Sequence, residues 1–288
     1  MPNKIVITCD STCDLSPELY HKYSVVPVPL GMTLGESPSW TAVDITPDDI
    51  FNYVQDHGIL PKTSAVPVND YTRVFRKYVN QGADVIHINI SSEFSACYQN
   101  AMIAADDFRG RVFPIDSRNL STGSGHLALS ARLLADSGLT APEIVERIEE
   151  MKQRLDVSFV LQTLEYLQKG GRCSGVTAFG ANLLKIRPEI VVQDGKMVVG
   201  KKYRGNMEKT ILNYVRGRLE GRDDVDTSRI FVTHSYVPKD IVAKVKDLIK
   251  ELQPFEDQAI FETFAGCTVS CHCGPYTLGV LFFRKKQK

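Results

Sequence analysis

An alternation constrains this chain more than any other feature. In its first half, apolar runs of strand length are separated by stretches whose apolar residues recur every three to four positions. Ile5–Thr8, Val25–Leu30, Val85–Ile90 and Val112–Asp116 read as strands. Thr46-Pro47-Asp48-Asp49 supplies an N-cap followed by proline at the first helical position. Asn69 is expected to cap a helix with Tyr71, Val74, Phe75 and Tyr78 on one face. Thr140 and Glu143 have capping-box spacing, ahead of a stripe of Ile144, Val145, Ile148, Met151 and Leu155. Strands alternating with helices call for βαβ units and a largely parallel sheet.

The second half departs from that pattern. Residues 162–180 read as helical and then glycine-rich. Asp194-Gly195 lies between Glu189–Val192 and Met197–Val199, a strong hairpin signal. Met207–Leu219 reads as a helix. Ile241, Val242, Val245, Leu248, Ile249 and Leu252 form a second helical stripe. Ile230–His234, Ile260–Thr263 and Leu278–Phe283 read as strands. The expected fold is α/β: an N-terminal three-layer domain with a mostly parallel sheet over residues 1–160, and a C-terminal α+β domain over 161–288. The pattern allows the chain to cross between them.

Charge excludes some partners. Lys and Arg number 34, as do Asp and Glu, so the formal net charge is zero. Nucleic acid is therefore not expected as a partner, because phosphate binding favours a basic surface. Membrane contact is expected to be transient at most. The neutral sum hides an asymmetry: residues 1–164 hold 13 basic and 20 acidic side chains, and residues 165–222 hold 12 basic and 5 acidic. The first strand follows Met1 almost at once, and the seven cysteines are irregularly spaced. Both features point to reduced thiols in a cytoplasm.

Familiar catalytic signatures are missing. The chain has no G-x-x-x-x-G-K-[ST], no G-x-G-x-x-G after a strand, and no G-x-S-x-G. Cys267-x-x-x-Cys271-His272-Cys273 crowds its donors on one segment, which suits zinc poorly, so no metal is expected. His87, inside an apolar strand, reads as a satisfied core group. What recurs instead is hydroxyls in loops after strands: Asp10-Ser11-Thr12-Cys13-Asp14, Lys62-Thr63-Ser64, Ser91-Ser92-Glu93-Phe94-Ser95, and Asp116-Ser117 with Ser121-Thr122-Gly123-Ser124-Gly125. Any one of them is more often a helix cap than a ligand group, and it is the recurrence that points to binding of a small anion.

These segments together resemble the DegV family of bacterial fatty-acid-binding proteins. The resemblance rests on Asp10-Ser11-Thr12-Cys13-Asp14-Leu15, Thr63-Ser64-x-x-Pro67, Ser91-Ser92-x-Phe94-Ser95-x-x-Tyr98-Gln99, and Asp116-Ser117-x-x-x-Ser121-x-Gly123-x-Gly125. It continues through Leu164-x-x-Leu167-x-x-Gly170-Gly171-Arg172-x-Ser174, Arg187-Pro188 ahead of Asp194-Gly195, and His272-x-Gly274-Pro275 ahead of Gly279. The segments stand in family order over nearly the whole chain.

The resemblance implies a two-domain protein that buries one long-chain fatty acid as its ligand and needs no cofactor. It further implies a non-catalytic subunit that presents the carboxylate to a separate ATP-binding kinase subunit, which makes the acyl phosphate. By motif, Thr63 and Ser95 would bond the carboxylate. Arg204 and His272, and more weakly Arg172, would lie near the acyl-phosphate head. Two alternatives belong beside this: a lipid carrier or sensor without a kinase, and a free-standing acyl transferase using Cys97 or the Cys271–Cys273 cluster. Three positions depart from the family pattern. Glu93 and Cys97 fall in a loop that commonly reads Gly-Leu-Ser-Gly-Thr, and Tyr276 stands where glycine is common.

Overall fold

The computed structural model describes residues 3–36, 40–41, 44–173 and 186–286. The chain divides into two compact units, Met1–Thr46 with Pro61–Gln153, and Pro47–Leu60 with Arg154–Lys288. Ser174 of the glycine-rich motif, and residues 174–180 of the stretch read as helical then glycine-rich, lie outside the described residues.

In chain order the first part runs β1 (Ile5–Asp10), α1 (Pro17–Lys22), β2 (Val25–Val28), β3 (Gly31–Thr33) and β4 (Trp40–Thr41). Then come α2 (Pro47–His57), which belongs to the second unit, β5 (Lys62–Ser64), α3 (Val68–Val79), β6 (Asp84–Asn89) and α4 (Cys97–Ala105). β7 (Val112–Asp116), α5 (Ser121–Asp136) and α6 (Ala141–Lys152) complete the first unit. Its main sheet has the order β2-β1-β6-β7, every pair parallel. A second, small antiparallel sheet has the order β4-β3-β5. Both fold-class expectations hold for this unit: mixed α/β, with a parallel main sheet.

Three local expectations are corrected. The cap of α3 is Pro67, two residues before Asn69: its extended backbone (φ −65°, ψ 151°) ends the loop, and Asn69 sits inside the first turn. Ser121–Gly125 is not a loop but the start of α5, whose residues 121–131 are all buried. A helix buried all round shows no amphipathic stripe, so its small residues pass for turn formers. Gly125 has a steric reason, since a Cβ there would stand 2.9 Å from the carbonyl oxygen of Cys13. Leu155 does not extend the α6 stripe. The helix ends at Lys152, and Glu143 accepts hydrogen bonds from the Thr140 N–H (2.8 Å) and hydroxyl (2.6 Å) at its other end.

Leu155 instead opens β8 (Leu155–Val160), followed by α7 (Glu165–Gly170), β9 (Arg187–Gln193), β10 (Lys196–Tyr203) and α8 (Met207–Leu219). The chain ends with β11 (Val225–Ser235), α9 (Lys239–Leu252), β12 (Ile260–Phe264), α10 (Cys267–Cys273) and β13 (Thr277–Arg284). Their sheet has the order β10-β9-β8-β13-β11-β12, antiparallel except for β11 with β12. The hairpin forms where expected: Gln193 faces Lys196 across Asp194 (φ 48°) and Gly195 (φ 79°), the paired positive φ of a type I′ turn. Helices α8 and α9 cover the sheet with Ile211, Val215, Val245 and Ile249, against Ile230, Val232, Val280 and Phe282. Among the described residues, no helix is long and apolar enough to cross a membrane.

Candidate functional site

The first unit's chain leaves β1 for β2 on one side and returns to β6 on the other. The carboxyl ends of β1 and β6 thus diverge at the point where ligands commonly bind in parallel α/β sheets. Asp10 ends β1 there, fully buried. It accepts hydrogen bonds from the Tyr71 hydroxyl (2.5 Å), the Ile90 N–H (2.8 Å), His87 Nε2 (3.1 Å) and Asn89 Nδ2 (3.3 Å). With Nε2 donating, His87 Nδ1 accepts from the Thr8 hydroxyl at 2.7 Å. His87 is the satisfied core group the sequence suggests.

Most hydroxyls of the four loops are spent internally. Ser11 Oγ accepts from the Leu30 N–H, and the Ser121 hydroxyl donates to Asp14. Ser92 donates to Asp116, and Ser117 donates to the Asn119 carbonyl. Thr63 and Ser95 are half-buried. Thr63 sits in β5 opposite Met32. Ser95 precedes α4, accepts from the Cys97 N–H at 3.3 Å and donates to Cys97 Sγ at 3.1 Å. The two loops are tied together through Val66. Its carbonyl accepts from Asn100 Nδ2 at 2.8 Å. Sequence reasoning named Thr63 and Ser95 but missed Val66, Tyr71 and Asn100. The one available signal was the i, i+3 spacing of Cys97 and Asn100 on one helix face.

The other three nominated residues belong to the second unit, and strand register gathers them. Val160 faces Leu278 and Glu189, Arg187 faces Tyr203, Ser235 faces Thr277, and His234 faces Phe264. One end of the sheet is therefore where β8, β10, β11 and β12 stop and β9 and β13 start. Arg204 follows β10 there, His272 rides on α10 just before β13, and Arg172 follows α7. His272 and Arg172 come together. A Cβ on Gly170 would stand 2.3 Å from His272 Nδ1, and the Gly170 carbonyl accepts from Arg172 Nη1 at 2.6 Å. Arg204, exposed, lies three strand spacings from β13, about 14 Å across the sheet.

The departures from family pattern have local explanations. Glu93 meets Arg118 at 3.4 Å. Tyr276 adopts φ 55°, the left-handed region in which glycine carries no penalty. All seven cysteines are thiols. Burial, then the Asp10 charge, pushes the Cys97 thiol up to about 12, and burial does the same to Cys271. A thiolate nucleophile needs the opposite shift. Among the described residues, no group of three or more His, Cys, Asp or Glu could hold a metal ion.

Burial first, and the neighbouring Arg172 charge second, push His272 down to about 4. Its imidazole is neutral at pH 7 and would act as a hydrogen-bonding group, not as a cation. A pH dependence follows. The unfolded chain's histidine takes up its proton near pH 6.5, whereas the folded chain resists until about 4. Between these values the unfolded state binds more protons, so stability drops as pH falls, by at most about 1.4 kcal/mol per unit. His234 is lowered too, chiefly by burial, and adds to the slope. Urea midpoints from pH 7 to pH 4 should therefore decline less steeply for His272→Gln than for the parent chain.

The family profile described as "Uncharacterised protein, DegV family" matches residues 4–285. A DegV domain-containing protein of Clostridium acetobutylicum is 30% identical over 285 residues, 98% of this chain and 99% of its own. Among solved structures, a DegV family protein from Thermus thermophilus, described with fatty acid binding, is 29% identical. It superposes with a TM-score of 0.85 over 98% of this chain and 99% of its own. A stearic acid-binding protein from Eubacterium ventriosum is 25% identical, with a TM-score of 0.83 over 97% and 98% of the two chains.

Proposed function

The chain belongs to the DegV family, and from that membership we propose that it binds one long-chain fatty acid in a buried apolar pocket. In this reading Thr63 and Ser95 donate to the carboxylate. The similarity to the Thermus thermophilus protein, at 29% identity across nearly the whole of both chains, is the observation that carries it. The half-buried hydroxyls of Thr63 and Ser95, on two loops pinned to each other, support it. Burying each methylene contributes about 0.8 kcal/mol. A desolvated carboxylate needs hydrogen bonds to remain charged, and hydroxyls supply them while leaving the head approachable.

We further propose that this chain is the non-catalytic, cytoplasmic subunit of a bacterial fatty acid kinase. A carboxylate oxygen would attack the γ-phosphorus of ATP on a separate kinase subunit, with ADP leaving and an acyl phosphate forming. Arg204, His272 and Arg172 would serve that head. An arginine fork suits a phosphoryl group, and a neutral imidazole can donate to it. The excess of basic residues in 165–222 fits a negatively charged product.

Protein purified from a bacterial host should carry one fatty acid per chain by denaturing mass spectrometry. Its absence would overturn the reading. The Thr63→Ala, Ser95→Ala double variant should bind at least tenfold more weakly, because each lost bond to a charged group is worth about 1.5–3 kcal/mol. Arg204→Ala should keep the lipid but lower acyl phosphate formation with ATP and a kinase subunit. If affinity capture with lipid-loaded protein retains no ATP-binding partner, a stand-alone carrier becomes the better account.

A further inference from the structure

Asn100 and Cys97 lie one turn apart on α4. Asn100 Nδ2 donates to the Val66 carbonyl at 2.8 Å. Val66 is fully buried and stands three residues beyond Thr63. Cys97 Sγ accepts from the Ser95 hydroxyl at 3.1 Å and the Cys97 N–H donates to Ser95 Oγ at 3.3 Å, so the hydroxyl proton can turn from sulfur to a carboxylate while its oxygen stays held. Behind it stands Tyr71, whose hydroxyl donates to the buried Asp10 at 2.5 Å. One short stretch of helix thus fastens the Val66 carbonyl, three residues beyond Thr63, and the side chain of Ser95. A segment whose buried carbonyl is held in this way cannot slide along the helix without stranding a buried polar group.

We propose that Cys97 and Asn100 are positioning residues that fix the spacing between the Thr63 and Ser95 hydroxyls, and so set the preference for a carboxylate over a neutral head group. The inference rests on the fatty-acid reading above. A carboxylate offers two oxygens and gains from two donors at a fixed separation. An alcohol offers one oxygen and is satisfied by either hydroxyl. Slack in the clamp therefore weakens acid binding and leaves alcohol binding nearly unchanged. Neither residue need touch the lipid.

The test uses the full chain stripped of lipid and two probes, oleic acid and oleyl alcohol. Binding is followed by displacement of a fluorescent fatty acid. Asn100→Leu, which keeps bulk but removes the donor, should weaken oleic acid about tenfold, the equivalent of one hydrogen bond. Oleyl alcohol should change less than twofold. Cys97→Ala should do the same, and Cys97→Ser should recover most of the acid affinity. Equal weakening of acid and alcohol, or no weakening of either, overturns the proposal. Ser95→Ala separates the two levels. If it leaves oleic acid affinity unchanged, the head-group reading itself falls. If it weakens oleic acid while Asn100→Leu does not, only the positioning role falls. Should Cys97→Ala fail to fold, Asn100→Leu and Cys97→Ser still decide the question.

Discussion

Asp10→Ala should cost about 3–5 kcal/mol of stability, the range for removing one partner of a buried charged network. The carboxylate is fully buried and gathers the Tyr71 hydroxyl, His87 Nε2, the Asn89 amide and the Ile90 N–H. Alanine leaves those buried donors without their acceptor. Asp10→Asn keeps the shape and one acceptor oxygen but turns an amide toward groups that donate, so an intermediate loss is expected. The chain's one tryptophan, Trp40, belongs to the same unit. Urea unfolding followed by its fluorescence reads the effect, and a loss under about 1 kcal/mol would contradict this account of Asp10.

Arg218→Ala should be similarly costly in the second unit. From α8, Arg218 reaches Asp156 on β8 and Glu189 on β9, the latter at 3.2 Å. Glu189 is 1% exposed, and its other partner is the Tyr203 hydroxyl at 3.4 Å. Removing the guanidinium strands a buried carboxylate, again a matter of about 3–5 kcal/mol. Asp156 is less affected because Arg222 still bonds it at 2.8 Å. Arg218→Lys should restore only part of the loss, since a single ammonium lacks the fork that serves two carboxylates. The double variant Arg218→Met, Glu189→Gln should be more stable than Arg218→Ala. Urea titrations followed by circular dichroism measure all three variants.

Which features were legible depends on whether a residue's role is local. Asp194-Gly195 specifies its hairpin alone, because positive φ at two successive positions is a property of the turn itself. The α9 stripe and the span of α8 follow from periodicity, since one face of each helix is buried and the other wet. β8 was hidden for the opposite reason. Asp156 and Ser158 look solvent-facing, yet Arg218, Arg222 and Tyr214 satisfy them inside the unit. Of the site, Thr63 and Ser95 were readable as motif hydroxyls. The hold on Val66 was not, because a backbone amide carries no side-chain mark. The gathering of Arg172 with His272 depends on the order β8-β13, two strands more than a hundred residues apart.

Helix α2 interrupts the first unit's sequence but packs in the second. Its Ile50 is fully buried, and Phe51 meets Tyr166 and Tyr236 edge-on at 6.2 and 4.9 Å. This has a cost in time. On the ribosome α2 emerges far ahead of its partners, the last of which, α10, ends at Cys273. At ~5–20 residues per second, that wait is roughly 10–40 s. An amphipathic helix with its apolar face uncovered for so long is a natural substrate for chaperones that shield nascent chains. The same crossover means that neither unit can be cut out as one continuous stretch of sequence. Cleavage after Gln153 would leave the second unit without the helix that closes its aromatic cluster.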